Sequence, residues 1–511
     1  MISLINHQGL KVLKGLQLQN PSPSIGLAYI GAYLKLKGFN YTGIDACGEA
    51  LDQVYPYDEA GEMLVQGLTI PQVLERIPAD TKVFGFTCLF SQCWPLVFRL
   101  ARVIRNEYPR ALIVAGGEHP TALPESVLHS HVFDCVVYGE GEETFHELVS
   151  RSYAEEDWRD IAGVIYAEPN GRLIKNTPRK RVSDIDAFPI PDWENWPLEQ
   201  YIQHNQVTGI NLGRSMPILG SRGCPYACTF CSNEDMWTRR YIMRRGDLIV
   251  DEMALRQQRY NVTGFTFMDS TFIINRRKVM DFALNLEVRN LGVVYQIPAG
   301  TRCEAIDQEL VFALERSGLR NFALAPESGS DEILQVIKKQ MDLTKLIETA
   351  RYVIKSKITL GIFIVIGFPE DTKHTLASTL KLIRKLALLG AHDVTVSKFT
   401  PYPGSPYFRK LLDEGMVSSD YQNSPQMINF FDSESRSYCP NFSDKQLHCY
   451  MLWFFINFYF LSFLVRPWRL ARNLVDFLVN GLENTRYMRM FNEILFNRRK
   501  WLRKKHTFET A

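Results

Sequence analysis

Three cysteines within eight residues carry the densest chemistry in this sequence. The stretch Gly223–Ser232 reads GCPYACTFCS and sets Cys224, Cys228 and Cys231 at C-x₃-C-x₂-C spacing. Three thiolates packed this closely suit a soft metal. They are one ligand short of a four-cysteine set. An iron–sulfur cubane held by three cysteines keeps one iron open, and an open iron is a place for chemistry. The alternative is a zinc knuckle with a distant fourth ligand, such as Cys303 or a histidine. Zinc sites of that kind usually supply a second ligand pair nearby, and none follows Cys231 closely.

The elements that must position this loop fill a chain of 511 residues, enough for two or three domains. Hydrophobic residues make up 46% and charged residues 22%, a globular balance. A net charge of +2 singles out no class of partner. Ten cysteines are too few for a secreted disulfide framework, so a reduced, cytoplasmic setting is expected. The opening MISLINHQG lacks the basic and apolar regions of a signal peptide.

Residues 1–150 alternate short apolar runs (Ile2–Ile5, Tyr41–Ile44, Val83–Thr87, Ala111–Ala115, Cys135–Tyr138) with helical patterns at Ile25–Lys37, Leu96–Asn106 and Leu123–His129. That alternation predicts a parallel sheet, which binds ligands beyond the carboxyl ends of its strands. Polar and glycine-rich residues fall at those ends: Asp45, Thr87, Ser91, Gly116-Gly117-Glu118-His119 and Gly139-Glu140. No Gly-x-Gly-x-x-Gly follows the first strand, which argues against a nicotinamide dinucleotide. Residues 151–215 read as a link with a small hairpin at Val164–Ile174 and a proline-rich, acidic stretch that must wrap a surface. Residues 216–415 carry six strand-like runs separated by helical patterns, the first strand leading into the cysteine loop. This predicts a partial (β/α)₆ barrel with its site at the carboxyl ends of the strands. Asp269, Arg302, Glu327 and Gly367 follow successive strands there, and Tyr295, Phe399 and Tyr402 are candidate lining residues.

The cysteine loop, with Phe230 before its last cysteine, resembles the signature of the radical S-adenosylmethionine (SAM) superfamily. The glycine-rich loops of residues 116–121 and 139–144 resemble the cobalamin-binding domain that precedes many such barrels. The group it resembles includes anaerobic magnesium-protoporphyrin monomethyl ester cyclases and hopanoid methylases. The resemblance implies an α/β chain: a Rossmann-like cobalamin domain at 1–150, a radical SAM barrel at 216–415 and a mostly helical region at 416–511. It implies a [4Fe-4S] cluster on Cys224, Cys228 and Cys231, with SAM chelated by the open iron. Phe230 and the backbone at Gly367 would lie by the adenine, Asp269 by the SAM amino group, Arg302 by a carboxylate, and Glu327 by the ribose. Asp45, Thr87, Ser91, Gly116, Gly117, Glu118, His119, Gly139 and Glu140 would border cobalamin. Plainer readings stand beside these: Arg302 pairing with Glu304, and Asp269 or Glu327 capping a helix. The family's Asp-x-His-x-x-Gly is here Asp45-Ala-Cys47-Gly-Glu-Ala. Cys47 reads as a small buried residue rather than a cobalt ligand, so the lower cobalt face is expected to lack histidine. A Rossmann-like domain without ligand is the alternative. The implied activity is methylation of an unactivated carbon through a 5′-deoxyadenosyl radical and methylcobalamin; the alternative is a radical SAM cyclase or oxidoreductase. An external electron donor such as flavodoxin or ferredoxin is implied as well.

The last region changes composition. Met451–Val465 is almost wholly apolar, yet as a run it falls short of the roughly 20 residues a bilayer span needs, so a buried or interfacial helix is expected rather than a span. From Arg466 to Ala511, eleven Lys or Arg against four Asp or Glu give +7. Leu470, Leu474, Phe477, Leu478 and Leu482 recur at helical spacing among arginines, and a basic cluster follows at Arg498–Lys505. The pattern suits the inner surface of a membrane, and with it a polycyclic lipid or tetrapyrrole substrate. A helical cap with a solvated basic face is the alternative. Nucleic acid is not expected, since no groove-reading motif accompanies the charge.

Overall fold

The computed structural model describes residues 1–12, 21–58, 63–206, 208–422 and 435–480, with Thr485 and Met488. The first sheet comprises β1 (Ile2–Asn6), β2 (Thr42–Asp45), β3 (Val83–Thr87), β4 (Leu112–Gly116), β5 (Cys135–Val137), β6 (Val164–Ala167) and β7 (Leu173–Lys175). Their order is β7-β6-β5-β4-β3-β1-β2. β1 to β5 run parallel, and β6 and β7 are antiparallel. Helices on both faces bury the parallel strands, which is why they read as unbroken apolar runs rather than alternating ones. The hairpin expected in the link is β6–β7, and it is part of this sheet: Val136 pairs with Ile165. A small antiparallel sheet of Gly9–Val12, Val54–Pro56 and Met63–Gln66 was not legible from the sequence, because its strands are only three or four residues long.

The rest of the link wraps, as its length required. Asp192 takes the hydroxyl of Tyr41 at 2.8 Å and the ammonium of Lys35 at 2.7 Å, which fastens it to the first domain. Asp186 accepts the backbone N–H of Arg245 at 2.8 Å, which fastens it to the barrel.

The barrel has six parallel strands in sequence order: β8 (Ser215–Ile218), β9 (Gly264–Phe267), β10 (Val294–Thr301), β11 (Leu319–Glu327), β12 (Thr359–Ile366) and β13 (Asp393–Lys398). Five helices separate them: Gly246–Tyr260, Arg276–Arg289, Gln308–Arg316, Leu343–Ile354 and Lys373–Leu389. Buried polar side chains close its lower end. Gln296 donates to the carbonyls of Thr208 and Ile210 at 3.0 Å, and Asn321 donates to the Gln296 carbonyl oxygen at 3.1 Å.

The apolar run at the C-terminus belongs to a helix of 22 residues, Asp444–Val465, started by a capping box of Ser443 and Gln446. By length and composition alone it could cross a membrane, but its packing bears out the buried helix that the run suggests. One face, with Leu447, Met451, Phe454 and Phe458, is buried in the core that the barrel shares with the first domain. Helix Pro467–Asn480 follows. The side chains of Leu474, Phe477, Leu478 and Leu482 and the cluster Arg498–Lys505 lie outside the described residues.

Candidate active site

The cysteine loop leaves β8 and is tied down along its whole length. Asp269, at the end of β9, accepts the Gly220 N–H at 3.1 Å and the Ser221 hydroxyl. It does not cap the next helix, whose cap is Asn275. Burial pushes its carboxyl up to about 6 despite these bonds. Gly223 needs its positive φ of 82°, and a Cβ there would meet the Arg240 carbonyl at 2.3 Å. Thr229 is held on both sides, donating its N–H to Ile337 and accepting that of Tyr407, each at 3.0 Å. All three cysteines are free; Cys224 and Cys228 are half-buried and Cys231 is exposed at its rim. Burial raises the pKa of Cys224 and of Cys228.

Among the described residues, no group of three His, Cys, Asp or Glu converges tightly enough for one metal ion. A cubane spreads its cysteines over separate irons and asks for no such convergence. Cys303 is buried, its thiol turned to the Asp342 carbonyl. The donor set of three unpaired soft thiols fits a cluster.

Beside the cysteines sits a residue that the sequence reading missed. The ammonium of Lys339 is buried, 2.9 Å from Glu327 and 5.8 Å from the Phe230 ring centroid. Burial works against its charge, but Glu327 and then Cys228 outweigh burial and raise its pKa. Glu327 itself has φ of +66° at the end of β11, a left-handed conformation that turns the chain sharply there. Lys339 follows in a turn flanked by Lys338 and Gln340, also of positive φ. No periodicity marks such a turn in advance. Arg302 adopts the plainer reading. It pairs with Glu304 at 2.6 Å, donates to the carbonyls of Lys339 and Gln340, and lies 3.7 Å over the Tyr226 ring. It therefore braces both the Lys339 turn and the cysteine loop. Phe230 lies half-buried, 5.8 Å from Phe368. Gly367 and Phe368 donate their N–H groups to Asp371 at 2.8 and 3.0 Å. Asp371 is thus the clamp that shapes the Gly367 turn. Tyr295 is plain core, bonded to Ser317 at 2.9 Å, and Phe399 is buried among Phe368 and Tyr407. Tyr402 is partly exposed.

The first domain presents its carboxyl-end loops to this side of the barrel. Glu118 accepts the hydroxyl of Ser232, the residue after Cys231. Arg222, two residues before Cys224, is buried between Glu142 at 2.6 Å and Glu140 at 3.3 Å. Its guanidinium is ringed by Tyr29, Phe188 and Trp237 at 5.0 to 5.9 Å. Glu118 and Glu140, read as cobalamin contacts, are thus also the joints between the domains. Gly116 and Gly139 leave room above the strand ends, since a Cβ on either would find its nearest neighbour at 3.7 and 3.8 Å. Gly117 is needed for its φ of +97°, and a Cβ there would stand 2.7 Å from the Cys88 carbonyl. Leu89 and Phe90, between Thr87 and Ser91, are 53% and 62% exposed on the same edge. Glycine backbone without crowding side chains, beside exposed apolar Leu89 and Phe90, lets a large apolar ring approach this edge.

Two expected contacts lie elsewhere. Asp45 is fully buried and spent on Asn6 at 2.9 Å, Gly48 at 2.8 Å and Tyr201 at 3.0 Å. It shapes its loop from below. His119 is buried and stacked on Trp94 at 4.6 Å; burial drops its pKa to about 3, so it is neutral. Cys47 is buried against Leu51 and Tyr201.

Comparison with known proteins agrees with this geometry. Residues 218–383 match the family model of the radical SAM superfamily, and residues 15–149 match that of the B12 binding domain. The chain belongs to the B12-binding radical SAM enzymes. Its cofactors are accordingly a [4Fe-4S] cluster, SAM and cobalamin. An uncharacterized methyltransferase of Pyrococcus horikoshii is 28% identical over 67% of this chain and 72% of its own. An anaerobic magnesium-protoporphyrin IX monomethyl ester cyclase of Rubrivivax gelatinosus is 24% identical over 78% and 68%. The structure of the cobalamin-dependent SAM radical enzyme OxsB with aqua-cobalamin and SAM bound superposes with a TM-score of 0.67. That match covers 100% of this chain and 80% of OxsB at 16% identity, a likeness of fold.

Proposed function

We propose that this enzyme is a C-methyltransferase acting on an unactivated carbon of an apolar substrate. The observation that carries the reading is the bond from Ser232 to Glu118, which sets the glycine-lined edge of the first domain against the cysteine loop. Two cofactors that must act on one substrate need such an arrangement. The cluster with SAM would supply hydrogen abstraction, and cobalamin a transferable methyl group. Cys224, Cys228 and Cys231 would hold the cluster. Phe230, Lys339, Glu327 and the Gly367 turn would border SAM; the loops at Gly116–Gly117, Leu89–Phe90 and Gly139 would border the corrin. The buried pairs around Arg222 and Lys339 orient these loops and keep water from the space between. Flavodoxin or ferredoxin is the expected electron donor. A tetrapyrrole or polycyclic lipid is the substrate class favoured, in keeping with the porphyrin ester named for the Rubrivivax relative. Peripheral contact with a membrane would then bring enzyme and substrate together.

Anaerobic turnover with methyl-labelled SAM tests the reading. A methyltransferase moves label into product and yields S-adenosylhomocysteine together with 5′-deoxyadenosine. 5′-Deoxyadenosine with an unlabelled product would establish the cyclase or oxidoreductase alternative instead.

A further inference from the structure

A cavity of about 350 Å³ lies at the end of the barrel opposite the cysteine loop. It forms where the first residues of β12 and β13 and the start of β11 meet the two C-terminal helices. β12 has eight residues, so at about 3.3 Å per residue its two ends are about 23 Å apart. The cavity lining is basic. Arg320, Lys357, His392, Arg469 and Arg472 face it, against the carboxylate of Asp393. Arg466 and Arg469 are occupied in part by the end of helix Lys373–Leu389. Arg466 donates to the Leu389 carbonyl at 2.9 Å and Arg469 to that of Gly390 at 3.0 Å, where the helix dipole favours cations.

The donors left over converge. The Leu360 N–H donates to His392 Nδ1 at 3.1 Å. The neutral ring must then carry its proton on Nε2, which faces Nη2 of Arg469 at 3.3 Å. Two hydrogen-bearing nitrogens thus confront each other, and an acceptor between or beside them would satisfy both. The cluster is also electrostatically crowded: burial, then Arg466 and Arg472, pull Arg469 down to about 10. An anion relieves both conditions.

We propose that this cavity is a binding site for a phosphate group. Two sources share that chemistry, a phospholipid headgroup and a free phosphate compound. The neighbouring surface favours the headgroup. Tyr459, Ser462 and Phe463 of helix Asp444–Val465 line the cavity. The outer face of the same helix carries Trp453, Ile456, Phe460 and Leu464, 49% to 65% exposed at a spacing of three and four residues. An apolar stripe beside a cationic cavity is the arrangement that would seat a helix in an anionic bilayer surface. The phosphate site is independent of the methyl-transfer reading, and only its lipid source rests on the membrane contact proposed above.

The test uses the full-length, reconstituted enzyme with two probes. Inorganic phosphate binding is followed by ³¹P line broadening. Binding to phosphatidylcholine vesicles, with and without phosphatidylglycerol, is followed by sedimentation. The double variant Arg472→Glu/Lys357→Glu changes two exposed side chains, and Arg320→Glu is a second, separate variant. Unchanged thermal unfolding and SAM cleavage show that each variant is folded. Reversal should weaken phosphate binding by roughly tenfold or more, one decade for each 1.4 kcal/mol lost. If phosphatidylglycerol-dependent sedimentation falls with it, the source is a headgroup. If only phosphate binding falls, the source is a free compound and the lipid assignment fails. Binding of both probes that survives reversal, or no binding of either, overturns the site.

Discussion

Replacement of Arg222 by Met should uncouple the two cofactor domains. Arg222 is a buried cation between two buried carboxylates, with side-chain exposures of 4% for Arg222, 7% for Glu142 and 10% for Glu140. At 2.6 and 3.3 Å, with an effective dielectric constant of about 20, each pair is worth roughly 5–6 kcal/mol of gross attraction, largely offset by desolvation. Methionine keeps much of the apolar stem among Tyr29, Phe188 and Trp237 but leaves two buried carboxylates without their counter-charge. Loss of one partner from such a pair costs about 3–5 kcal/mol. The triple variant Arg222→Met/Glu140→Gln/Glu142→Gln removes the stranded charges and should recover most of that loss. Urea unfolding followed by tryptophan fluorescence measures both, with Trp237 in the affected stack. Because Arg222 lies two residues before Cys224, iron bound after anaerobic reconstitution should fall in the single variant and return in the triple one. A destabilisation below about 1 kcal/mol, or a triple variant no better than the single one, would refute the view that this ion-pair group joins the domains.

Replacing Cys224, Cys228 and Cys231 together by Ala should abolish iron binding and reductive SAM cleavage; stoichiometric zinc in the native protein would count against the cluster. Lys339→Met should raise the KM for SAM at least about tenfold and destabilise the protein by about 3–5 kcal/mol, since it strands Glu327. Adding Glu327→Gln should recover stability but not SAM affinity, and recovery of both would assign the pair a purely structural role. Asp45 gives a test by pH. Its folded pKa of about 6 lies above the ordinary 3.8, so around pH 5 the native state holds a proton that the unfolded chain has lost. Its contribution is present below about pH 4 and lost as pH rises through about 6, to the extent of about 3 kcal/mol. Asp45→Asn should therefore be more costly at about pH 4 than at about pH 7, and a penalty that does not change with pH would exclude Asp45 as the titrating group.

Local order in the chain settled a good deal. The alternation of apolar runs with helical periods marked both parallel sheets, because strands buried on two faces and amphipathic helices have different spacings that no distant contact needs to specify. The C-x₃-C-x₂-C loop was legible for the same reason: its ligands are sequence neighbours. What depended on distance was not. Lys339 is far from Phe230 along the chain, and no period links the two. It reaches the cysteines because β11 ends in a left-handed Glu327 that folds the following turn back. Glu118 and Glu140 looked like ligand contacts because they sit at strand ends; tertiary packing gives them Ser232 and Arg222 as partners across the domain boundary. Asp45 and His119 occupy similar positions in sequence but point into cores, since a side chain's direction at a strand end is set by what packs beneath it. The cationic cavity is the extreme case. Its arginines come from a strand start and a C-terminal helix that are distant in sequence, and only the docking of that helix on the barrel gathers like charges that the chain disperses.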